Sequence, residues 1–205
     1  GANLTTTCPW GAFEQALLSA RLLQEEGPFL LLGADEFHPA LSPLLDPDRA
    51  AGAPPADGGG ALRLDPRPRP GAPGLRLLGL DYAADPEAEA PLARLERVLA
   101  TANTARRYGL VLAGLPRACR SLAEAQLAAW REAAGYQGPL IDYRRLTGDF
   151  ATASALATVW AAALKADPQQ ALCPPEDRIL ILNLGTVVSA LEVGPVTDTA
   201  AGKAP

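Results

Sequence analysis

Apolar residues return along this chain in two alternating rhythms. Phe13, Ala16, Leu17, Ala20 and Leu23 recur at helical spacing and predict a helix over 9–24, stopped by Gly27 and Pro28. Phe29-Leu30-Leu31-Leu32 predicts a short strand buried on both faces, the kind found in a sheet covered by helices. A stretch over 42–58, rich in Pro, Gly and Asp and poor in periodic apolar residues, reads as a loop. Strands follow over 59–65 and 75–82, divided by a Pro- and Arg-rich segment over 67–74 that reads as a stiff surface connector.

The alternation repeats beyond the connector. Leu92, Leu95, Leu99 and Ala102 line one helical face, and Leu110-Val111-Leu112 predicts a second buried strand. Ser121 with Glu124 forms a capping box ahead of a helix that runs to Ala134 and stops at Gly135. A helix over 150–166 is apolar and small nearly all round, so it is expected among other elements. Strands over 179–184 and 187–193 meet at Gly185, and the tail 195–205 is expected to fray. Alternating strands and helices over this length predict a layered α/β fold.

Composition narrows the classes of function. Hydrophobic residues make up 48% and charged residues 20% of 205, enough for a substantial core, and no apolar stretch reaches bilayer-spanning length. The net charge of −5 is spread without a basic stripe, which argues against nucleic acid as a partner. Cys8, Cys119 and Cys173 form neither a paired framework nor a metal-ligand spacing, so no metal or cofactor is expected and a reducing, cytoplasmic compartment is. The opening residues lack the basic stretch and apolar run of a secretion signal. A chain that starts Gly-Ala-Asn and contains no methionine reads either as an expressed fragment or as a piece of something longer.

Candidate chemistry begins at Thr6-Thr7-Cys8-Pro9-Trp10-Gly11-Ala12, where a lone thiol stands at the passage from extended chain to apolar helix. Unpaired N–H groups and partial positive charge at a helix N-terminus stabilise a thiolate there, and Pro9 fits the first helical turn. The plainer alternative is a small buried cysteine that fills space. Cys119 lies near Arg117 and Arg120, whose charges would lower a thiol pKa. Cys173, before two prolines, has no supporting context, and the single histidine, His38, reads as an ordinary surface or interface residue.

The order of segments resembles the β-ketoacyl synthases of fatty-acid and polyketide synthesis, members of the thiolase-like fold. Thr7-Cys8-Pro9-Trp10-Gly11-Ala12 is similar to the family's nucleophile turn, and Leu45-Asp46-Pro47-Asp48-Arg49 to its Phe-Asp-x-x-Arg segment. Gly33-Ala34-Asp35 and the run from Asp57 to Leu64 resemble two strands that follow the nucleophile helix. Arg144-Arg145-Leu146-Thr147-Gly148-Asp149 resembles the family's Lys-x-x-x-Gly-His, with its small-residue helix behind, and Asn183-Leu184-Gly185-Thr186-Val187 its Gly-Phe-Gly-Gly turn. The resemblance implies a layered α/β/α/β/α fold whose opening elements were removed or lie in another chain. It divides the chain into a partial N-terminal half over 1–66, the connector 67–74, a C-terminal half over 75–194 and the tail 195–205.

The departures carry as much as the matches. Both histidines with which the family holds a decarboxylating malonyl thioester are replaced: one position maps near Gly114, the other to Asp149, and the lysine position becomes Arg144. Imidazole donors stabilise the charge that builds on the thioester oxygen, and removing one such donor costs about 3 kcal/mol or more. A carboxylate in that place donates no hydrogen and repels the developing enolate. Asp149 also stands where an N-cap of the following helix is expected.

The resemblance therefore implies a non-condensing subunit comparable to a chain length factor. Such a subunit pairs with a homologous ketosynthase or with itself through the strand at 2–7, and works with an acyl carrier protein. The alternative is an acyltransferase or thioesterase that uses Cys8 as an acyl-accepting nucleophile without decarboxylation, with backbone N–H groups as its oxyanion hole. A third reading is a structural pseudoenzyme whose cysteine is a relic.

Overall fold

The computed structural model describes residues 5–6, 11–22, 27–36, 57–67, 72–82, 89–99, 108–167, 169 and 172–195. Cys8 with the rest of 7–10, His38, the predicted loop as far as 56 and most of the tail lie outside the described residues; Gly58, expected in that loop, opens a strand.

The helix α1 (Ala12–Leu22) leads into β1 (Phe29–Asp35), which pairs antiparallel with β2 (Gly58–Leu64) in a two-stranded sheet. The remaining strands form a second sheet. β3 (Pro73–Tyr82), β4 (Tyr108–Gly114), β5 (Leu140–Asp142), β6 (Arg178–Asn183) and β7 (Val187–Pro195) lie in the order β3-β7-β6-β4-β5. β4 runs parallel to both β5 and β6, which requires helical crossovers, whereas β7 is antiparallel to β6 and β3. The crossovers are α2 (Pro91–Leu99) between β3 and β4, and α3 (Arg120–Ala134) between β4 and β5. A short α4 (Tyr143–Thr147) and the long α5 (Ala153–Ala166) then lead from β5 to β6.

Layering follows from which faces are apolar. Val111, Ala113, Leu180, Leu182, Val188 and Ala190 point to one side and pack with Leu95 and Val98 of α2 and with Ala123 and Leu127 of α3. Leu110, Leu112, Ile179, Ile181, Leu191 and Val193 point to the other and pack with Phe13 of α1 and the alanine stripe of α5. The far side of α5 lies against β1 and β2. The stack thus runs helix pair, five-stranded sheet, α1 with α5, two-stranded sheet. Central strands covered on both faces have to be apolar throughout, as Leu110-Val111-Leu112-Ala113 and Ile179-Leu180-Ile181-Leu182 are. Each such side chain contributes about 2 kcal/mol by leaving water.

Two local expectations are corrected. β1 is not buried on both faces: Leu31 lies inward, while Leu30 and Leu32 are 63% and 61% exposed, because among the described residues only α1 and α5 cover the sheet and they take one face. The capping box at Ser121 does not form. A 3-10 turn (Arg117–Cys119) feeds directly into α3, whose N-cap is Cys119 without a side-chain cap bond, and Glu124 instead accepts from Arg120 at 2.9 Å. The predicted stop holds, with Gly135 left-handed and its N–H bonded to the carbonyls of Arg131 and Glu132. Among the described residues no helix is long and apolar enough to cross a membrane.

Candidate functional site

The parallel strands β4 and β6 end in register, with Gly114 opposite Asn183, and β5 ends beside them at Asp142. Carboxyl ends of parallel strands are where α/β sheets place their ligands. A small cleft opens there, lined by Gly11, Pro116, Arg144, Asn183, Leu184, Thr186 and Val187. α1 starts at its edge: Gln15 donates its N–H to the Gly11 carbonyl at 3.0 Å, and Thr6 Oγ1 donates to the Ala12 carbonyl at 3.0 Å. Cys8 stands three residues before Gly11 in sequence, outside the described residues.

The other three residues expected at the site come together around this cleft, each in an altered role. Gly114 is a close-approach position, since a Cβ there would strike the Tyr143 hydroxyl and lie 2.9 Å from Asn183 Oδ1. A tyrosine from α4 thus fills the space that a side chain at 114 would need. Asp149 is engaged on both oxygens: Oδ1 accepts from Arg144 Nη1 at 2.6 Å, and Oδ2 accepts the backbone N–H of Arg117 at 2.7 Å. It does not cap the following helix, whose N-cap is Thr152, because its carboxylate is spent across the cleft on the loop after β4. Arg144 is buried, bonds the Phe150 carbonyl at 2.8 Å as well as Asp149, and lines the cleft. Both bonds leave from the single nitrogen Nη1, which ties the Asp149 carboxylate and the Phe150 carbonyl to one point at the edge of the cleft.

Behind the cleft lies a polar network that sequence reasoning missed. Tyr143 donates to Asn183 Oδ1, and Asn183 Nδ2 donates to Glu14 Oε1 and to Ser189 Oγ, the latter at 3.1 Å. Ser189 Oγ in turn donates to Glu14 Oε1 at 3.0 Å. Tyr143, Glu14 and Ser189 are fully buried, and burial pushes the Tyr143 hydroxyl well above its ordinary range, so it is a proton donor at any physiological pH. Glu14 Oε2 is buried without a hydrogen-bond partner among the described residues. The signal was a single acid on the apolar face formed by Phe13 and Leu17, and a single serine within the apolar run 187–193.

The cysteines divide by environment. Cys119 packs on Gly185 beside the cleft; burial raises its pKa despite a hydrogen bond from the Thr186 backbone and the nearby charge of Arg144. The expectation that neighbouring arginines lower it is overturned, since desolvation of the thiolate outweighs their field. Cys173 is buried, and burial pushes its pKa up as well. Near it Lys165 Nζ closes the end of α5 by donating to the carbonyls of Pro174, Pro175 and Asp177 at 2.7, 2.9 and 2.7 Å. Among the described residues no group of three or more His, Cys, Asp or Glu side chains is placed to hold a metal ion.

The fold has solved counterparts. A type II polyketide synthase complex, an acyl-carrier protein with its ketosynthase bound to the hexaketide, superposes with a TM-score of 0.67 at 15% identity, over 95% of this chain and 60% of that one. The ishigamide ketosynthase/chain length factor superposes at 0.57 with 20% identity, over 91% and 55%. A β-ketoacyl synthase from Burkholderia phymatum STM815 superposes at 0.56 with 14% identity, over 91% and 60%. The chain spans between 55% and 60% of the length of these three structures. No family model and no curated protein matches the sequence. At these identities the likeness establishes the fold, which is the thiolase-like fold of the ketosynthases, as the order of motifs implied.

Proposed function

We propose that this chain is a ketosynthase-like subunit of polyketide or fatty-acid synthesis that handles an acyl group without decarboxylating malonyl units, beside a homologous, active ketosynthase and an acyl carrier protein in the cytoplasm. The carrying observation is the occupancy of the two positions where a condensing enzyme of this fold needs imidazole. At one, the Tyr143 hydroxyl fills the place a side chain on Gly114 would take and donates to Asn183. At the other, Asp149 has both oxygens committed to Arg144 and to the Arg117 N–H. Neither position offers a hydrogen to a developing enolate oxygen. Two missing donors at about 3 kcal/mol each slow decarboxylation by about 10⁴-fold.

Likeness in fold to an acyl-carrier protein–ketosynthase complex and to a ketosynthase/chain length factor supports the choice of partners. The test is twofold. Purified chain given a malonyl thioester is expected to release no carbon dioxide above background, and to co-elute with an active homologous ketosynthase from its source; carbon dioxide release at ketosynthase rates overturns the reading. Intact mass after exposure to an acyl thioester separates the second reading. An adduct abolished by Cys8→Ala means that the Cys8 sulfur has bonded the acyl carbon and the thioester sulfur has left as a thiol carrying the cysteine's proton. The chain is then an acyltransferase or thioesterase.

A further inference from the structure

The Asp149 carboxylate is held as a bound ligand is held. Its two oxygens meet donors from separate parts of the chain: Arg144 Nη1, on α4, at 2.6 Å, and the backbone N–H of Arg117, in the segment after β4, at 2.7 Å. Both lengths lie at the short end for charge-assisted bonds. The guanidinium has anchors of its own. The Arg144 side chain is 4% exposed, its Nη1 also donates to the Phe150 carbonyl at 2.8 Å, and its charge lies 5.9 Å from the centre of the buried Tyr143 ring.

The neighbouring acid shows what an ordinary pairing looks like. Asp142 accepts from Arg120 and pairs with Arg145, whose side chains are 28% and 69% exposed, so water can replace its carboxylate on both. At Asp149 the cation is buried, and a buried cation stripped of its counter-charge is costly. Taking the Asp149 carboxylate away would leave a fixed guanidinium nitrogen and an aimed N–H facing one carboxylate-sized space. The Asp149 side chain is itself 16% exposed, so solvent reaches that space from outside.

We infer that Arg144 and the Arg117 N–H form a binding site for one small carboxylate, and that the chain supplies its own: Asp149 occupies the site in cis and closes it to carboxylates from solution. A tethered group competes at an effective concentration of about millimolar or more, so wild type binds free carboxylates weakly. One consequence rests on the reading above that the cleft handles acyl groups: a malonyl group finds the place for its carboxylate taken. The probes are sodium formate, acetate and malonate, with chloride at equal ionic strength as the control, added to the full chain and read by titration calorimetry and thermal unfolding. Asp149→Ala removes only the carboxylate and is expected to take up formate, whereas the methyl of acetate meets the remaining Cβ. Asp149→Gly frees that Cβ as well and is expected to bind acetate about tenfold or more tighter than Asp149→Ala does. The glycine variant also binds malonate, and wild type does not.

Asp149→Asn keeps the space filled and is expected to bind neither formate nor acetate; binding there as tight as in the alanine variant puts the anion elsewhere and overturns the inference. A purely structural ion pair would lose stability in the alanine and glycine variants without regaining it from any free carboxylate. Folded variants that bind neither probe, or that chloride stabilises as much as formate does, therefore overturn it. Should both variants fail to fold in plain buffer, refolding in formate or acetate but not in chloride supports the site, and failure in all three overturns it. The two readings fail separately. Absent carboxylate binding removes the site and leaves the non-condensing role, whereas carbon dioxide release by wild type removes that role and leaves the site.

Discussion

β1 and β6 are equally apolar in sequence and end in opposite circumstances. Ile179, Leu180, Ile181 and Leu182 of β6 are wholly buried, whereas β1 leaves Leu30 and Leu32 more than half exposed. Composition does not separate them; the number of layers does. β6 has α2 and α3 on one face and α1 and α5 on the other, and β1 has helices on one face only among the described residues. The chemistry follows the coverage. Gly114, Asn183 and Ser189 lie on the doubly covered strands, where polar groups lose water and must find each other, and this is where the buried network forms.

The largest expected effect sharpens that contrast. Ile181→Ala removes a fully buried side chain and is expected to cost about 2–5 kcal/mol. Leu32→Ser acts on an exposed face and is expected to change stability by less than about 0.5 kcal/mol. Denaturant midpoints of the two variants measure the difference, and equal losses would mean that the outer face of β1 is covered in solution and that the two sheets are alike after all.

The same contrast explains how much was legible in the sequence. The central strands announced themselves as unbroken apolar runs, α3 stopped where Gly135 said it would, and the small residues of α5 foretold a helix buried among other elements, though not that those elements are two sheets. The motif order gave the fold, and it brought Gly114, Arg144 and Asp149 to one cleft. Partners distant in sequence were hidden. Glu14 meets Asn183 across 169 positions, and the Arg117 N–H meets Asp149 across 32, so no local spacing displays either pair. The Ser121 box failed because the 3-10 turn before α3 already supplied the helix with its start. The exposed side of β1 was misread because a run of leucines says that burial is available to a strand, not that a second layer exists to provide it.

The next effect lies within the doubly covered region. Asn183→Ala strips three partners at once, leaving the Tyr143 hydroxyl, Glu14 Oε1 and Ser189 Oγ to rearrange without water, and is expected to cost about 2–4 kcal/mol. Asn183→Asp keeps the acceptor for Tyr143 but sets a second carboxyl against Glu14, so it should be no milder at neutral pH. Thermal unfolding of both checks this; a loss below that of Leu32→Ser would show the network to be ornamental and would erase the link between coverage and chemistry.

Gly114→His tests whether the cleft can be returned to a condensing site. The new Cβ collides with the Tyr143 hydroxyl, so the variant is expected to lose about 1–3 kcal/mol by overpacking and to gain no decarboxylation of a malonyl thioester. Adding Tyr143→Ala opens the space at the cost of a buried ring and of the bond to Asn183, and Asp149 still withholds the second donor, so the double variant is also expected to release no carbon dioxide. Carbon dioxide release by the single variant would contradict the view that Tyr143 holds that place.

The smallest effect lies at the edge of the doubly covered sheet, where Asp81 backs the hold of Arg94 on the turn between β6 and β7, made through the carbonyls of Gly185 and Thr186. Its Oδ2 accepts from Arg94 Nε at 3.3 Å and from Arg97 Nη2 at 2.8 Å. Burial alone would raise the Asp81 pKa, but the hydrogen bonds and charges of Arg97 and Arg94 outweigh it and hold the carboxyl below its ordinary value of 3.8. A group whose pKa is lower in the folded chain contributes stability that is present above the unfolded value and lost as pH falls through the folded one. Arg94 therefore loses an anchor only below about pH 4, and at neutral pH the contribution is modest because Arg97 is half exposed and solvent screens the pair. Asp81→Asn is expected to leave stability at pH 7 nearly unchanged and to flatten its decline between about pH 4 and pH 3, read from denaturant midpoints across that range. Identical acid limbs for the two proteins would show that Arg94 holds the turn without the Asp81 carboxylate, leaving the carbonyls of Gly185, Thr186 and Asp81 as its anchors among the described residues.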